Sequence, residues 1–132
     1  SKTANILFAL ELNKLYKARG IQAFALNPGA IMTNLQSVLS LEEQKSMGYF
    51  KEDGTLADFF KTVEQGAATT VYAALSPELD DPIGEYLEDC AITNVVNDDK
   101  SQFVGRATHA ADMNAAEQLW ILSEKMTSEK SN

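Results

Sequence analysis

The stretch "IQAFALN" at positions 21–27, followed directly by Pro28 and Gly29, decides the fold. It is a short and almost continuously apolar run, which is typical of a strand buried on both faces of a parallel sheet. Open α/β sheets bind their ligands at the carboxyl ends of such strands. The Pro28-Gly29 pair is therefore a candidate binding bend, although the turn preferences of proline and glycine explain the same pair as an ordinary turn.

A helix is predicted immediately before this strand, over residues 3–19. Apolar positions follow a helical stripe, and Lys14, Lys17 and Arg19 lie in the last turn, where cations suit the negative end of the helix dipole. Gly20 is placed to end the helix as a left-handed cap. A helix that leads into a buried strand is half of a βαβ unit, and the strand that would precede it is not in this sequence.

The segment after the bend, residues 30–61, has scattered apolar residues and no strong period. A segment of this length is more often a lid or binding loop than a simple connector. Order resumes over residues 62–75, where Thr62 and Gln65 form a predicted capping box at the start of a helix.

Two further elements are expected towards the end of the chain. "EYLEDC" at 85–90 is a short strand candidate. A last helix is predicted to begin at the capping pair Asn114 and Glu117. One side of it would carry four apolar residues: Ala116, Leu119, Trp120 and Met126.

The composition and net charge of the chain limit the functions that it could have. The 132 residues are 45% hydrophobic and 23% charged, as in an ordinary soluble domain. The net charge of −8 would repel phosphate backbones and anionic lipid surfaces, so we expect no nucleic-acid partner. No apolar run is long enough to predict a membrane span. The single cysteine suits a reducing compartment, which predicts a cytoplasmic protein.

Taken singly, the reactive side chains favour structural roles. His109 is the one histidine, and a lone histidine is more often structural than catalytic. Cys90 has no partner at metal or triad spacing, so we expect a small buried core residue. Five acidic residues lack the spacing of a calcium loop and predict a solvated surface with no metal site. They are Asp80, Asp81, Glu85, Glu88 and Asp89.

The order of these pieces is more specific than any one of them. "SKTANILF", a helix, a strand ending in "NPGAIMT", an apolar lid, "KTVEQGAATTVYAAL", "GEYLEDC" and "AAEQLWILSEKMT" follow one another. Together they resemble the C-terminal half of a short-chain dehydrogenase/reductase, nearest to the retinol dehydrogenase and WW-domain oxidoreductase-like branch. The resemblance covers nearly the whole chain.

That resemblance implies a fold. Residues 1–132 would be the C-terminal part of one domain, made of the catalytic helix, a strand, the substrate lid and the C-terminal helix. The fold class is α/β, as the distal half of a Rossmann-type doubly wound parallel sheet. About two strands with flanking helices would be present, and the sheet would be incomplete without the N-terminal half.

The resemblance also implies a catalytic residue. The family's catalytic helix carries Tyr-x-x-x-Lys, and the likeness places Lys2 as its lysine, so the tyrosine would precede Ser1. The chain is therefore expected to begin inside an active-site motif. An adjacent ammonium lowers the pKa of a phenol from its ordinary value of about 10, which lets the tyrosine act as general acid or base. Lys2 would also donate to the nicotinamide ribose hydroxyls.

The resemblance assigns the cofactor as NAD or NADP. Pro28, Gly29, Ile31 and Thr33 would line its nicotinamide end, with the Ile31 amide and the Thr33 hydroxyl contacting the carboxamide. The sequence contains no glycine-rich loop for a pyrophosphate and no residue that selects between the two cofactors. The 132-residue chain alone is therefore predicted to be inactive.

The substrate expected from the resemblance is a lipophilic alcohol or carbonyl compound, covered by an adaptable apolar lid. Ordinary packing explains the same lid residues equally well. They are Met32, Leu35, Val38, Leu39, Met47, Tyr49, Phe50, Phe59 and Phe60.

Two functions from different classes remain open. The first is part of an NAD(P)-dependent oxidoreductase, and the second is a truncated, non-catalytic interaction module that acts through its exposed helix and strand edge. An unrelated small α/β domain is a third reading. If only these residues are present, strand 21–27 would expose an unpaired edge and an apolar face, so we expect a homo-oligomer with the first helix at the interface.

Overall fold

A computed structural model describes residues 2–80, 86–96 and 104–128, which form a mixed α/β fold. The α-helices in these ranges are α1 (Lys2–Tyr16), α2 (Leu41–Ser46), α3 (Val63–Leu75) and α4 (Met113–Ser128). The strands are β1 (Ala25–Asn27), β2 (Ala30–Ile31), β3 (Phe60–Lys61), β4 (Tyr86–Glu88), β5 (Ala91–Ile92), β6 (Val95–Val96) and β7 (Arg106–Ala107). No helix in the described ranges is long and apolar enough to cross a bilayer.

The largest sheet has three strands in the order β1-β4-β5. β1 is parallel to β4, with Asn27 opposite Glu88, and β5 is antiparallel to β4. The other four strands form two-stranded parallel sheets, β2 with β3 and β6 with β7. Within the described part of the chain β1 therefore lies at a sheet edge. Small parallel sheets with helices are compatible with the predicted partial Rossmann fold, while the doubly wound arrangement stays a prediction.

The predicted strand at 21–27 is confirmed in type but is shorter and less buried than expected. Only residues 25–27 are extended in the sheet. Ala25 is buried, Leu26 is half-buried and Asn27 is exposed. The strand thus places Asn27 at an exposed position at its carboxyl end, directly before Pro28 and Gly29.

The predicted end of the first helix is confirmed. α1 continues into a 3₁₀ turn, Lys17–Arg19, and Gly20 follows in the left-handed region with φ +77°. The Gly20 N–H donates to the Lys17 carbonyl at 2.9 Å. The Asn13 side chain then fixes the next residues, since it both donates to the Ala23 carbonyl and accepts from the Ala23 N–H.

The main core lies between α1 and α4. Leu7 and Leu10 of α1 are buried against Ala116 of α4, with Ala115 and Leu119 partly buried beside them. At the rim of this contact Phe8 stacks on Trp120, with ring centroids 5.2 Å apart. Burial of these apolar surfaces holds the two helices together.

An ammonium reinforces the same helix pair. Lys14 lies 3.3 Å from the buried carboxylate of Glu11 and 2.8 Å from Glu117 on α4. These contacts raise the pKa of Lys14, with the hydrogen bond to Glu117 as the largest cause.

The predicted start of the last helix is wrong. The carboxylate of Asp112 accepts from the N–H groups of Asn114 at 2.8 Å and Ala115 at 3.1 Å, so Asp112 caps α4. Glu117 instead binds Lys14. Met126, near the end of α4, is exposed and is not part of the core around Ala116.

The capping box of α3 is confirmed. Thr62 Oγ1 accepts from the Gln65 N–H at 3.2 Å, and Gln65 Oε1 accepts from the Thr62 N–H at 2.9 Å. One turn later Gly66 lies against Ile31, so closely that a Cβ on Gly66 would be 2.5 Å from Ile31 Cγ1. α3 thereby anchors the segment that follows the Pro28-Gly29 bend.

Candidate active site

Two cavities open around the carboxyl end of β1, and Asn27 lines both. The larger, of about 820 Å³, we name the main cavity, and Gly29, Met47, Phe59, Lys61 and Glu88 contribute to its lining. The smaller, of about 520 Å³, we name the helix cleft. The carboxyl end of the parallel strand is thus an open region, as the position of the bend predicts.

The helix cleft brings together two of the predicted site residues. Lys2, in the first turn of α1, is exposed and lines this cleft with Asn27 and Pro28. Tyr86 of β4 contributes to the opposite side. Any ligand in this cleft would therefore have a cation and the Pro28 bend within one cavity. Nothing in the geometry assigns a role to Lys2, which stays a prediction.

Pro28 lines the helix cleft and Gly29 lines the main cavity, so the chain passes from one cavity to the other at this bend. The φ of Gly29, +86°, is in the left-handed region, where an L side chain is strained. Its N–H donates to Asn27 Oδ1 at 3.0 Å. A Cβ at this position would lie 2.8 Å from Lys61 Cε. The left-handed conformation therefore favours glycine here, whereas the contact with the flexible end of the Lys61 side chain could be relieved by moving that side chain.

Ile31 and Thr33 lie beside the cavities and line neither of them. Ile31 pairs with Lys61 in the β2–β3 sheet and packs against Gly66. Thr33 caps the 3₁₀ turn Asn34–Val38, since its hydroxyl accepts from the Leu35 N–H. Thr33 and Gln36 form a capping box, and their spacing in the sequence is a signal that could have predicted this turn.

Some of the predicted lid residues line the main cavity, and others are exposed to solvent. Met47 and Phe59 line the main cavity, and Phe59 packs on Phe60 with ring centroids 4.6 Å apart. By contrast, Leu35 and Val38 are 76% and 84% exposed. The lid role of the whole set stays a prediction, and the aromatic cluster is the part that borders the cavity.

An ion pair that the sequence analysis missed borders the main cavity. Lys61 of β3 binds the carboxylate of Asp89, which follows β4, and both residues line this cavity. The pair joins segments 28 residues apart in sequence, so no local pattern could have indicated it.

Glu88 contradicts the prediction of a solvated acidic surface. It is 7% exposed, and its carboxylate accepts from Asn27 Nδ2 and the Tyr86 hydroxyl at 3.0 Å each and from the Gly105 N–H at 2.6 Å. Burial, together with the hydrogen bond to Glu88, raises the pKa of Tyr86 to about 12. Of the other acidic residues, Asp80 and Asp89 are exposed, and Asp81 and Glu85 lie outside the described residues.

Cys90 also contradicts its prediction, because it is exposed rather than buried. It turns the chain after β4 with φ +57°, and its N–H donates to Thr69 Oγ1 at 3.2 Å. His109 is exposed in a 3₁₀ turn, Thr108–Ala111, and lines neither cavity. The described residues hold no cluster of three His, Cys, Asp or Glu side chains placed to bind a metal.

The residues at the end of β1 fit the nicotinamide end of a dinucleotide in their chemistry. The helix cleft offers an ammonium for hydroxyl groups, and Gly29 leaves the adjacent backbone without a side chain. The sequence has no glycine-rich loop for the pyrophosphate. The fit is therefore to one end of such a cofactor.

Comparisons with known proteins identify relatives that are longer than this chain. No family model matches the sequence, and no solved structure matches it. The chain is 42% identical over 122 residues to a protein named probable oxidoreductase from Streptomyces lividans, covering 91% of this chain and 41% of that protein. It is 37% identical over 126 residues to the short-chain dehydrogenase/reductase prx1 of Penicillium roqueforti, covering 96% of this chain and 36% of that protein.

A plant relative extends the same pattern. The chain is 34% identical over 130 residues to the short-chain dehydrogenase TIC 32 A, chloroplastic, of Brassica napus, covering 96% of this chain and 35% of that protein. None of these three names is that of a retinol dehydrogenase, so the branch stays a prediction. The chain spans well under half the length of each of these relatives. Nearly all of its residues are thus similar to part of proteins named oxidoreductase or short-chain dehydrogenase/reductase.

Proposed function

We propose that this chain is the C-terminal part of an NAD(P)-dependent oxidoreductase that transfers a hydride between a nicotinamide cofactor and a lipophilic alcohol or carbonyl compound. The observation that carries the proposal is the helix cleft, in which Lys2 meets Asn27 and Pro28 beside the main cavity. The names of the relatives support the reaction class.

Lys2 has two tasks in this proposal. Its exposed ammonium in the helix cleft donates hydrogen bonds to the ribose hydroxyls of the cofactor and so orients the nicotinamide. Its charge also favours the ionised form of a neighbouring phenol, which lowers the pKa of the catalytic tyrosine of the whole enzyme. The cofactor, when bound, supplies or accepts the hydride.

The Pro28-Gly29 bend and the residues after it hold the nicotinamide end. Gly29 lets the backbone approach the ring because it has no side chain, provided that the flexible end of Lys61, which lies against Gly29, moves aside. The Ile31 amide and the Thr33 hydroxyl contact the carboxamide. Since the Thr33 hydroxyl is within 3.2 Å of both the Leu35 N–H and Gln36 Oε1, its contact with a cofactor would replace one of these bonds.

The main cavity receives the substrate. Its volume of about 820 Å³ is in the range of small-molecule sites, and Met47, Phe59 and Val104 give it apolar walls. Such walls favour a lipophilic body and exclude water from the reacting carbon.

We also propose an oligomeric state and a cellular location for the protein. A cytoplasmic homo-oligomer with α1 at the interface is supported by the exposed Phe8 and Leu15 on α1 and by the lone cysteine. The names of the relatives give no support to a non-catalytic interaction module.

The proposal is tested by binding and turnover with the full-length protein. NADH and NADPH are titrated by fluorescence, and hydrophobic and small polar alcohols are compared as substrates. Lys2→Met is expected to weaken binding of the preferred cofactor about tenfold, because a charge-assisted hydrogen bond contributes about 1.5 kcal/mol or more. Lys125→Met, which removes an exposed ammonium from α4, is the matched control.

Two results would overturn the proposal. One is a wild-type protein that binds neither dinucleotide. The other is a Lys2→Met variant that binds and turns over like the Lys125→Met control. A preference for small polar alcohols would contradict the lipophilic substrate alone.

A further inference from the structure

Glu88 is a buried carboxylate with no part in the proposed hydride transfer. It ends β4 directly opposite Asn27 in the parallel register, at the wall of the main cavity. Burying a carboxylate is costly unless hydrogen bonds replace its water. A side chain that is 7% exposed therefore points to a specific set of donors around it.

Three donors from three parts of the chain converge on this carboxylate. Oε1 accepts from Asn27 Nδ2 at 3.0 Å and from the Tyr86 hydroxyl at 3.0 Å. Oε2 accepts from the Gly105 N–H at 2.6 Å. Glu88 thus ties the end of β1 and the segment before β7 to the end of β4.

Asn27 connects Glu88 to the Pro28-Gly29 bend through two hydrogen bonds. Its Nδ2 donates to Glu88, while its Oδ1 accepts from the Gly29 N–H at 3.0 Å. The two ends of a side-chain amide are not interchangeable, because one donates and the other accepts. An amide held by Glu88 in this orientation is therefore the one that can accept from Gly29.

We infer that Glu88 is a positioning residue: through Asn27 it sets the Pro28-Gly29 bend, and through Gly105 it holds the adjacent Val104, which lines the main cavity. The link between Glu88, Asn27 and Gly29 is independent of any ligand. Its consequence for a dinucleotide rests on the proposed function.

A neutral amide cannot replace this carboxylate. An ionised carboxylate only accepts, so its two oxygens can serve all three donors. In Glu88→Gln the new NH₂ would face either the Gly105 N–H or the Asn27 NH₂. If the Asn27 amide turned to relieve that contact, Gly29 would lose its acceptor.

The first test compares amide signals in the full-length protein labelled with ¹⁵N-glycine. Glu88→Gln is expected to shift the amide protons of Gly29, Gly105 or both, and to speed hydrogen exchange about tenfold at Gly105, whose acceptor is the carboxylate, and by a smaller factor at Gly29, whose acceptor is the neutral amide of Asn27. Glu78→Gln is the control, because Glu78 accepts from the Tyr72 hydroxyl on the surface away from both cavities. A folded Glu88→Gln protein whose Gly29 and Gly105 signals match the control would overturn the inference.

A second variant covers the case in which Glu88→Gln does not fold. Asn27→Asp, at an exposed position, keeps an acceptor for Gly29 but cannot donate to Glu88. We expect the Gly29 amide of this variant to exchange faster than in wild type, whereas a stronger, charged acceptor alone would slow its exchange. A Gly29 exchange rate equal to or slower than that of wild type would show that the bend forms without Glu88.

Dinucleotide binding separates this inference from the proposed function. If wild-type protein binds NADH or NADPH, Glu88→Gln is expected to raise the dissociation constant about tenfold, in line with its effect on the bend. An unchanged dissociation constant alongside a disturbed Gly29 signal would remove the consequence for the ligand. If wild-type protein binds neither, the proposed function fails while the amide signals still decide the role of Glu88.

Discussion

The α1–α4 helix pair and the rim of the main cavity are stabilised in opposite ways. The helix pair buries Leu7, Leu10 and Ala116 against one another. The rim, residues 28–61, leaves large apolar side chains such as Leu35 in solvent and relies on capping boxes, one at Thr33 and another at Ser40. Stability therefore resides in the helix pair, while polar contacts set the local geometry of the rim.

The largest expected effect tests this comparison directly. Leu10→Ala in the helix pair, where the leucine is 5% exposed, is expected to lower the free energy of unfolding by about 2–5 kcal/mol. Leu35→Ala in the rim is expected to change it by less than about 0.5 kcal/mol, because the side chain is already hydrated. Urea denaturation of the full-length protein measures both. Equal losses in the two variants would break the comparison.

A substitution where α3 packs against the rim has the next largest effect. Gly66→Ala gains about 1 kcal/mol in helix propensity but places a Cβ against Ile31, and overpacking costs about 1–3 kcal/mol. We expect a net loss of about 1 kcal/mol in unfolding free energy. In an Ile31→Ala background the same substitution should become neutral or stabilising, which a double-mutant cycle measures. Simple additivity would mean that this contact does not anchor the rim.

The capping box of α3 provides a smaller test. Thr62→Ala removes the acceptor for the Gln65 N–H and is expected to cost about 1 kcal/mol. Thr70→Ala, at an exposed position inside the same helix, is the matched control and should be neutral or stabilising because alanine is the better helix former. If both variants lost the same stability, the effect would not arise from the cap.

The smallest expected effect on the unfolding free energy is confined to alkaline pH. The pKa of Tyr86 is raised from 10.0 to about 12, so the stabilisation linked to its neutral phenol is complete below pH 10 and is lost as the pH rises to about 12. The difference in unfolding free energy between wild type and Tyr86→Phe should therefore shrink between these values. Ultraviolet titration of the phenolate checks the assignment. A difference that stayed constant over this range would contradict the raised pKa.

Local signals in the sequence predicted the elements that depend on local contacts. The left-handed cap at Gly20 and the capping box of Thr62 and Gln65 involve residues within one turn, so their spacing is sufficient to identify them. The start of α4 was wrong although it is also local, because Asp112 and Asn114 are both good capping residues and spacing alone did not choose between them.

The rest of the site depends on contacts between distant residues. Glu88 looked like one more acid in an acidic stretch, and two of the three donors that compensate its burial are 61 and 17 residues away. Lys61 gave no signal of its own, since its partner Asp89 follows a strand of another sheet. The strand end and its bend could thus be predicted, while the polar contacts that shape them could not.

The exposed thiol of Cys90 has a practical consequence. It is the single cysteine of these 132 residues, and it borders a shallow depression beside Phe59 and Lys61, two residues that also line the main cavity. A maleimide fluorophore attached there would report on the surroundings of the aromatic cluster at this position. Binding of a ligand against Phe59 or Lys61 in the main cavity could then be followed in real time.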